Sequence, residues 1–135
     1  MTIVAIYEHS AAGAAALEAA YTTATRESRD LLVLGTTSGS STPGAGELET
    51  AAVTSDVETV LGGRGGWELR LVPPGEDAVG ALTEHVHTLS PELVVIGTPH
   101  RSAVGKLLLG RARQRLLLEI DTPVLIVKPQ RDRPL

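Results

Sequence analysis

The stretch ELVVIGTPHRSAVGKLLLGRARQRLLLEIDTPVLIV, residues 92–127, predicts a strand, a crossover and a second strand. Apart from Glu92, residues 92–96 are apolar and rich in β-branched side chains, which is typical of a strand buried on both faces of a parallel sheet. A basic, turn-rich stretch follows Gly97, and residues 107–120 have a Leu-rich helical pattern. Ligands of parallel α/β sheets bind beyond the carboxyl ends of the strands, so the loop after Gly97 and the helix start near Gly110 are expected to face the binding site.

The rest of the chain alternates strand and helix in the same way. Ser10 is a plausible N-cap for an Ala-rich helix, and the pair Gly62 and Gly63 is expected to end the second helix. The acidic side chains of that second helix are expected to face water: Glu47, Glu49, Asp56 and Glu58. The predicted strands are residues 2–7, 31–35, 67–72, 92–96 and 124–127, and the predicted helices are residues 10–28, 47–61, 76–89 and 107–120. This pattern predicts an α/β fold with a right-handed, doubly wound parallel sheet, in one domain spanning residues 1–135.

Composition narrows the function classes. The chain has 135 residues and no cysteine, which excludes disulfides and Cys-based metal or thiol sites. Its three aromatic residues offer no stacking platform for single-stranded nucleic acid, so no nucleic-acid partner is expected. No apolar run approaches the ~18 residues of a membrane span and no signal-peptide pattern opens the chain. We therefore expect a cytoplasmic protein with no membrane partner.

Charge is divided unevenly along the chain. Residues 1–99 contain 4 basic and 13 acidic side chains, whereas residues 100–135 contain 8 basic and 3 acidic ones, giving the net charge of −4. A basic segment in the crossover could bind an anion or dock a partner. The alternative is a solvated helix face, with Arg111 and Arg115 one turn apart, and the sequence leaves both interpretations open.

The crossover resembles the universal stress protein family, whose last strand-loop-helix unit contains a nucleotide motif of the form G-x2-G-x9-G-S/T. Gly97 matches the first glycine and Gly110 the third, with nine residues before it, and TPVLIV matches the closing strand. His100 stands at the second glycine and Arg111 at the hydroxyl position. Arg113 stands where another small hydroxyl is common. The frame thus matches while the phosphate-contacting residues differ, which resembles the branch of the family with a degenerate ATP-binding motif.

The resemblance extends along the whole chain and implies a strand order of 3-2-1-4-5. Glu8 stands where the family usually has an Asp, and this order places Tyr7, Glu8 and Gly97 at the mouth of one crevice between strands one and four. His100, Arg101, Arg111 and Arg113 are expected to converge near the start of the last helix, where free N–H groups favour an anion. The candidate site therefore consists of Tyr7, Glu8, Gly97, His100, Arg101, Gly110, Arg111 and Arg113.

Competing motifs fail on spacing or context. Gly105-Lys106 lacks the Ser or Thr that a P-loop needs after its lysine. His85 and His87 are two apart on a predicted helix, so they point in different directions and cannot share one metal ion. Ser102 lies close to His100, but no G-x-S-x-G elbow surrounds it and no third catalytic group is identifiable. We therefore expect no enzymatic activity and no metal site.

Two functions remain. The first is a non-enzymatic stress-response protein with an eroded nucleotide site and no cofactor, which acts as a homodimer through an unidentified protein partner. The second is a regulatory switch that binds ATP or AMP, with Arg111 and Arg113 contacting the phosphates. Family resemblance and an uncovered apolar edge predict that the homodimer forms through the last strand, Val124, Leu125, Ile126 and Val127.

Overall fold

The chain folds into one parallel sheet with helices on both faces. The computed structural model describes residues 1–99 and 110–129. In chain order the described elements are β1 (Thr2–Ile6), α1 (Ala11–Glu27), β2 (Asp30–Thr36), α2 (Ala45–Val60), β3 (Trp67–Val72), α3 (Ala78–Leu89), β4 (Leu93–Gly97), α4 (Arg111–Glu119) and β5 (Val124–Val127). All strand pairs are parallel and the order is β3-β2-β1-β4-β5. The predicted fold class and strand order are confirmed.

The sheet separates two apolar layers. On one face α1 and α2 pack over alternate residues of the central strands, with Leu17, Val33 and Val95 fully buried among them. On the other face α3 and α4 cover the intervening strand residues, including Val4 and Val94, and Val86 of α3 is fully buried against them. Each such side chain contributes roughly 1.5–3 kcal/mol when it is fully buried. Burial on both faces explains why the central strands read as continuous apolar runs.

Helix boundaries follow local signals in the sequence. Ser10 caps α1, since its Oγ accepts a hydrogen bond from the amide of Gly13 at 3.0 Å. At the other end Ser28 adopts a left-handed conformation and its amide bonds back to the last turn. The predicted glycine stop of α2 is also present, with Gly62 and Gly63 both at positive φ. The first residues of the predicted fourth helix, 107–109, lie outside the described residues, and the described helix begins at Arg111.

The strand order leaves β5 at one edge of the sheet. Within the described residues its outer side pairs with no other strand. Leu125 is 41 % exposed, and the three other residues of this strand are half-buried. No described helix has the length and apolar character needed to cross a membrane.

Candidate functional site

The crevice that the strand order creates lies where β1 and β4 end. The chain leaves these neighbouring strands in opposite directions, and ligands of doubly wound sheets bind at such a switch point. Its volume is about 220 Å³. Its described lining comprises Ile6, Tyr7, Glu8, Ala78, Val79, Leu82, Ile96, Gly97, Ala112, Arg113 and Leu116.

Larger hollows occur elsewhere on the molecule. One of about 460 Å³ lies at the amino end of β2 and β3 beside Trp67, and another of about 640 Å³ runs along α1 to Val127. The smaller crevice is nonetheless the candidate site, because it lies at the carboxyl ends of the strands and contains four of the predicted site residues, Tyr7, Glu8, Gly97 and Arg113.

Arg113 spans the crevice from α4 to the ends of β1 and β4. Its Nε donates a hydrogen bond to the carbonyl oxygen of Gly97 at 2.7 Å. Its Nη2 donates to both carboxylate oxygens of Glu8, each at 2.5 Å. The Arg113 side chain is 21 % exposed and that of Glu8 is 43 % exposed, so the pair is only partly screened by water. The guanidinium that would contact phosphate in the second candidate function is thus bound by a carboxylate of the same chain.

The start of α1 helps to hold Glu8 in position. Ser10, the N-cap of this helix, donates its hydroxyl proton to a Glu8 carboxylate oxygen at 2.9 Å. The same Ser10 oxygen accepts the amide of Gly13, so one side chain links the helix start to the acidic group. The Glu8 carboxylate that binds Arg113 is therefore held in place by the start of α1.

Gly97 is required by packing as well as by the motif that it matches. A Cβ atom at this position would lie 2.0 Å from the carbonyl oxygen of Ala12, in the first turn of α1. Gly13 is equally constrained, since its Cβ would lie 1.8 Å from the carbonyl oxygen of Glu8. These two glycines let the first turn of α1 approach the ends of β1 and β4 closely.

The start of α4 agrees only in part with the prediction. Gly110 is the N-cap at φ 78°, a left-handed conformation that favours glycine, and Arg111 follows as an exposed first helical residue. Arg111 is not part of the described crevice lining. His100 and Arg101 lie outside the described residues, so their convergence with Arg111 and Arg113 stays a prediction.

Arg115 interacts with α3. Its guanidinium donates two hydrogen bonds of 2.8 Å to the carboxylate of Asp77, the N-cap residue of α3, and a third to Glu119. Arg115, through hydrogen bonding first of all, lowers the pKa of Asp77 to about 2. The Arg115 side chain is still 39 % exposed, as the interpretation of a solvated helix face expects, and its ion pair with Asp77 connects two walls of the crevice.

Tyr7 lines the crevice but directs its hydroxyl to α2. That hydroxyl donates to the Asp56 carboxylate at 2.6 Å, and the same carboxylate oxygen lies 3.1 Å from His9 Nδ1. Burial first, and then the Asp56 contact, raises the pKa of Tyr7 above its ordinary value. Burial raises the pKa of Asp56, but the hydrogen bonds from Tyr7 and His9 outweigh it and leave that pKa below its ordinary value.

Sequence reasoning missed Asp56. The helical pattern predicted that the Asp56 side chain faces water. This prediction was wrong, because the side chain is half-buried against Tyr7. The signal available was weak, since an acidic residue adjacent to buried Val57 can face either way. The Tyr7 hydroxyl, 49 positions away, determines the outcome.

The two helical histidines make separate contacts. His85 Nε2 lies 3.1 Å from an Arg70 guanidinium nitrogen, and His87 Nε2 lies 3.1 Å from the Glu119 carbonyl oxygen. Among residues 1–99 and 110–129, no group of three or more His, Asp or Glu side chains could hold a metal ion.

Comparison with known proteins defines the family. The model of the universal stress protein family matches residues 1–128. A universal stress protein of Mycolicibacterium smegmatis is 42 % identical over 128 residues, covering 94 % of this chain and 97 % of that protein. The chain therefore belongs to the universal stress protein family.

Solved structures show the same fold at lower identity. A universal stress protein from Archaeoglobus fulgidus superposes with a TM-score of 0.72 at 18 % identity, covering 94 % of this chain and 97 % of that one. A universal stress protein family protein from Arabidopsis thaliana, solved with AMP bound, superposes with a TM-score of 0.65 at 15 % identity, covering 96 % and 92 %. At these identities the likeness establishes the fold.

Proposed function

We propose that this chain is a non-enzymatic stress-response protein that acts through protein partners and whose crevice does not bind ATP. The observation that carries this proposal is the Arg113 guanidinium, held across the crevice by Glu8 and by the Gly97 carbonyl. This arginine occupies a position where the family motif commonly has a small hydroxyl. A phosphate could reach its Nη2 donor only by displacing Glu8.

The charges of the crevice support the same conclusion. Its two described charged side chains, Glu8 and Arg113, are paired with each other, so neither is placed as an independent acid or base for catalysis. We therefore propose neither an enzymatic activity nor a resident cofactor.

The edge of the sheet supports action as a homodimer. An uncovered apolar edge strand promotes association, and native proteins usually protect it. Pairing of β5 with the same strand of a second copy would complete the hydrogen bonds of both edges and cover Leu125. We propose that this homodimer, formed through Val124, Leu125, Ile126 and Val127, is the form that meets the partner protein.

The second candidate is a regulatory switch that binds an adenine nucleotide. The fold shared with the AMP-bound Arabidopsis protein favours it, as does exposed Arg111 at the positive end of α4. For AMP or ATP to use Arg113 as well, the phosphate would have to displace Glu8. Such a ligand would lose part of its binding energy in breaking the pair.

Thermal unfolding with 1 mM Mg-ATP or AMP distinguishes the two candidates, with Mg²⁺ plus inorganic phosphate as the control. We expect Tm to change by no more than about 1 °C. A ligand present at ~100 times its Kd would stabilise the protein by ~2.7 kcal/mol, which corresponds to several degrees for this chain length. A shift of that size with a nucleotide but not with phosphate would replace the first candidate by the second.

The cytoplasmic location stays a prediction, which cell fractionation checks.

A further inference from the structure

We propose that Glu8 determines the charge selectivity of the crevice. By pairing with Arg113 it makes the site reject phosphate-bearing ligands, and its neutral replacement makes the site accept them. The inference deepens the proposed function and rests on it for the location of the site. It assigns the rejection of anions to one side chain.

The charged side chains that line the described crevice neutralise each other. Among the described lining residues, Glu8 and Arg113 are the charged ones, and they lie in direct contact. Most of the remaining lining is aliphatic, including Ile6, Leu82 and Ile96. The described crevice therefore has no net formal charge, although it contains the group best suited to bind phosphate.

The geometry of the Glu8–Arg113 pair would place a competing phosphate next to the Glu8 carboxylate. Nη2 of Arg113 contacts both Glu8 oxygens, and Nε contacts the Gly97 carbonyl. A phosphate oxygen seeking the same Nη2 donor would lie beside the Glu8 carboxylate. Two negative groups at that separation repel each other strongly, especially where they are partly shielded from water.

Neighbouring groups hold Glu8 in position. Ser10 and the first turn of α1 hold this carboxylate at the end of β1, so it cannot turn away without losing its hydrogen bond from Ser10. The Gly97 carbonyl would keep Arg113 at the crevice when the Glu8 charge is removed. A chain with Gln at position 8 would therefore present a positively charged crevice of nearly unchanged shape.

The test measures AMP affinity by isothermal titration calorimetry for the wild type, Glu8→Gln and Glu8→Ala. The control is Glu18→Gln, which makes the same change of charge away from the crevice, in the ion pair that Glu18 of α1 forms with Arg64 at 2.9 Å. The double variant Glu8→Gln with Arg113→Gln removes both charges. Circular dichroism and Tm show that each variant is folded.

We expect Glu8→Gln or Glu8→Ala to bind AMP at least tenfold more tightly than the wild type, or than the detection limit if the wild type shows no binding. Glu18→Gln should match the wild type, and the double variant should lose the gain. Folded variants at position 8 with a gain below tenfold, or an equal gain in Glu18→Gln, would overturn the inference. Tight AMP binding by the wild type would instead overturn the proposed function, so the two failures are distinguishable.

Discussion

A Cβ atom on Gly97 would lie 2.0 Å from the carbonyl oxygen of Ala12, far inside van der Waals contact. The glycine that the nucleotide motif singles out is therefore also the residue that lets α1 pack onto β4. The family motif and the packing of α1 therefore both call for glycine at this position.

Gly97→Ala is expected to lower the free energy of unfolding by about 3 kcal/mol, because the new methyl group collides with backbone that cannot move independently. Urea denaturation measures the loss. Gly46→Ala is the matched control, since no atom lies within 4 Å of its Cβ and the residue is inside α2. That control should be neutral or gain up to about 1 kcal/mol. Equal behaviour of the two variants would mean that α1 does not pack as described.

Tyr7→Phe is expected to cost about 1–2 kcal/mol, because it removes a 2.6 Å hydrogen bond to a carboxylate. The loss should shrink in an Asp56→Asn background, where the charged partner is already gone. An undiminished loss would indicate that Tyr7 acts through packing alone.

The contribution of Tyr7 to the free energy of unfolding is expected to fall at high pH. Folding raises the pKa of Tyr7, so the stabilisation from its protonated hydroxyl is fully present below the ordinary tyrosine pKa of ~10 and is lost as pH rises towards the folded value. Tyr7→Phe should therefore reduce the fall in stability above pH ~10. Urea denaturation across the alkaline range, combined with phenolate absorbance, checks this.

Asp77→Asn is expected to change stability at low pH. Folding lowers the pKa of Asp77 to about 2, so its contribution is present above the ordinary aspartate pKa of ~3.9 and is lost as pH falls towards 2. The variant should show a shallower decline of stability between these pH values. Arg115→Gln should do the same because it removes the main cause of the shift. Glu58→Gln, an exposed change on α2, should keep the wild-type pH profile.

Leu125→Lys is expected to give a monomer or insoluble protein, because a charge in the middle of β5 opposes pairing of two apolar edges. Light scattering coupled to size exclusion measures the mass. Leu48→Lys makes the same change at an exposed position on α2 and should remain a dimer. A dimeric Leu125→Lys protein would place the interface elsewhere on the molecule.

The alternation of strands and helices could be predicted from sequence because its signals are local. The apolar run that becomes β4, the N-cap Ser10 and the glycine stop after α2 each act within a few residues. Strand order needed the family resemblance as well, since apolar patterns alone do not say which strands are neighbours. The free edge at β5 followed from that order.

The candidate site could be located in the same way, but its contacts could not. The sequence placed Tyr7, Glu8 and Gly97 at one crevice, and the structure brings them there together with Arg113. Only the second candidate function had Arg113 contact phosphate, and in the structure this side chain contacts Glu8. The sequence also assigned Asp56 to the solvent.

By itself, the sequence determined the layered fold, the position of the crevice and the loss of the small residues that the motif requires. Only the tertiary structure decided which charges neutralise each other, because Glu8 and Arg113 are 105 positions apart and Tyr7 and Asp56 are 49 apart. Local sequence patterns decide on which helix or strand a side chain lies and on which face of that element. The choice of hydrogen-bond partner depends on distances that exist only once the sheet is assembled, and here that choice turns a phosphate-binding type of residue into half of an internal ion pair.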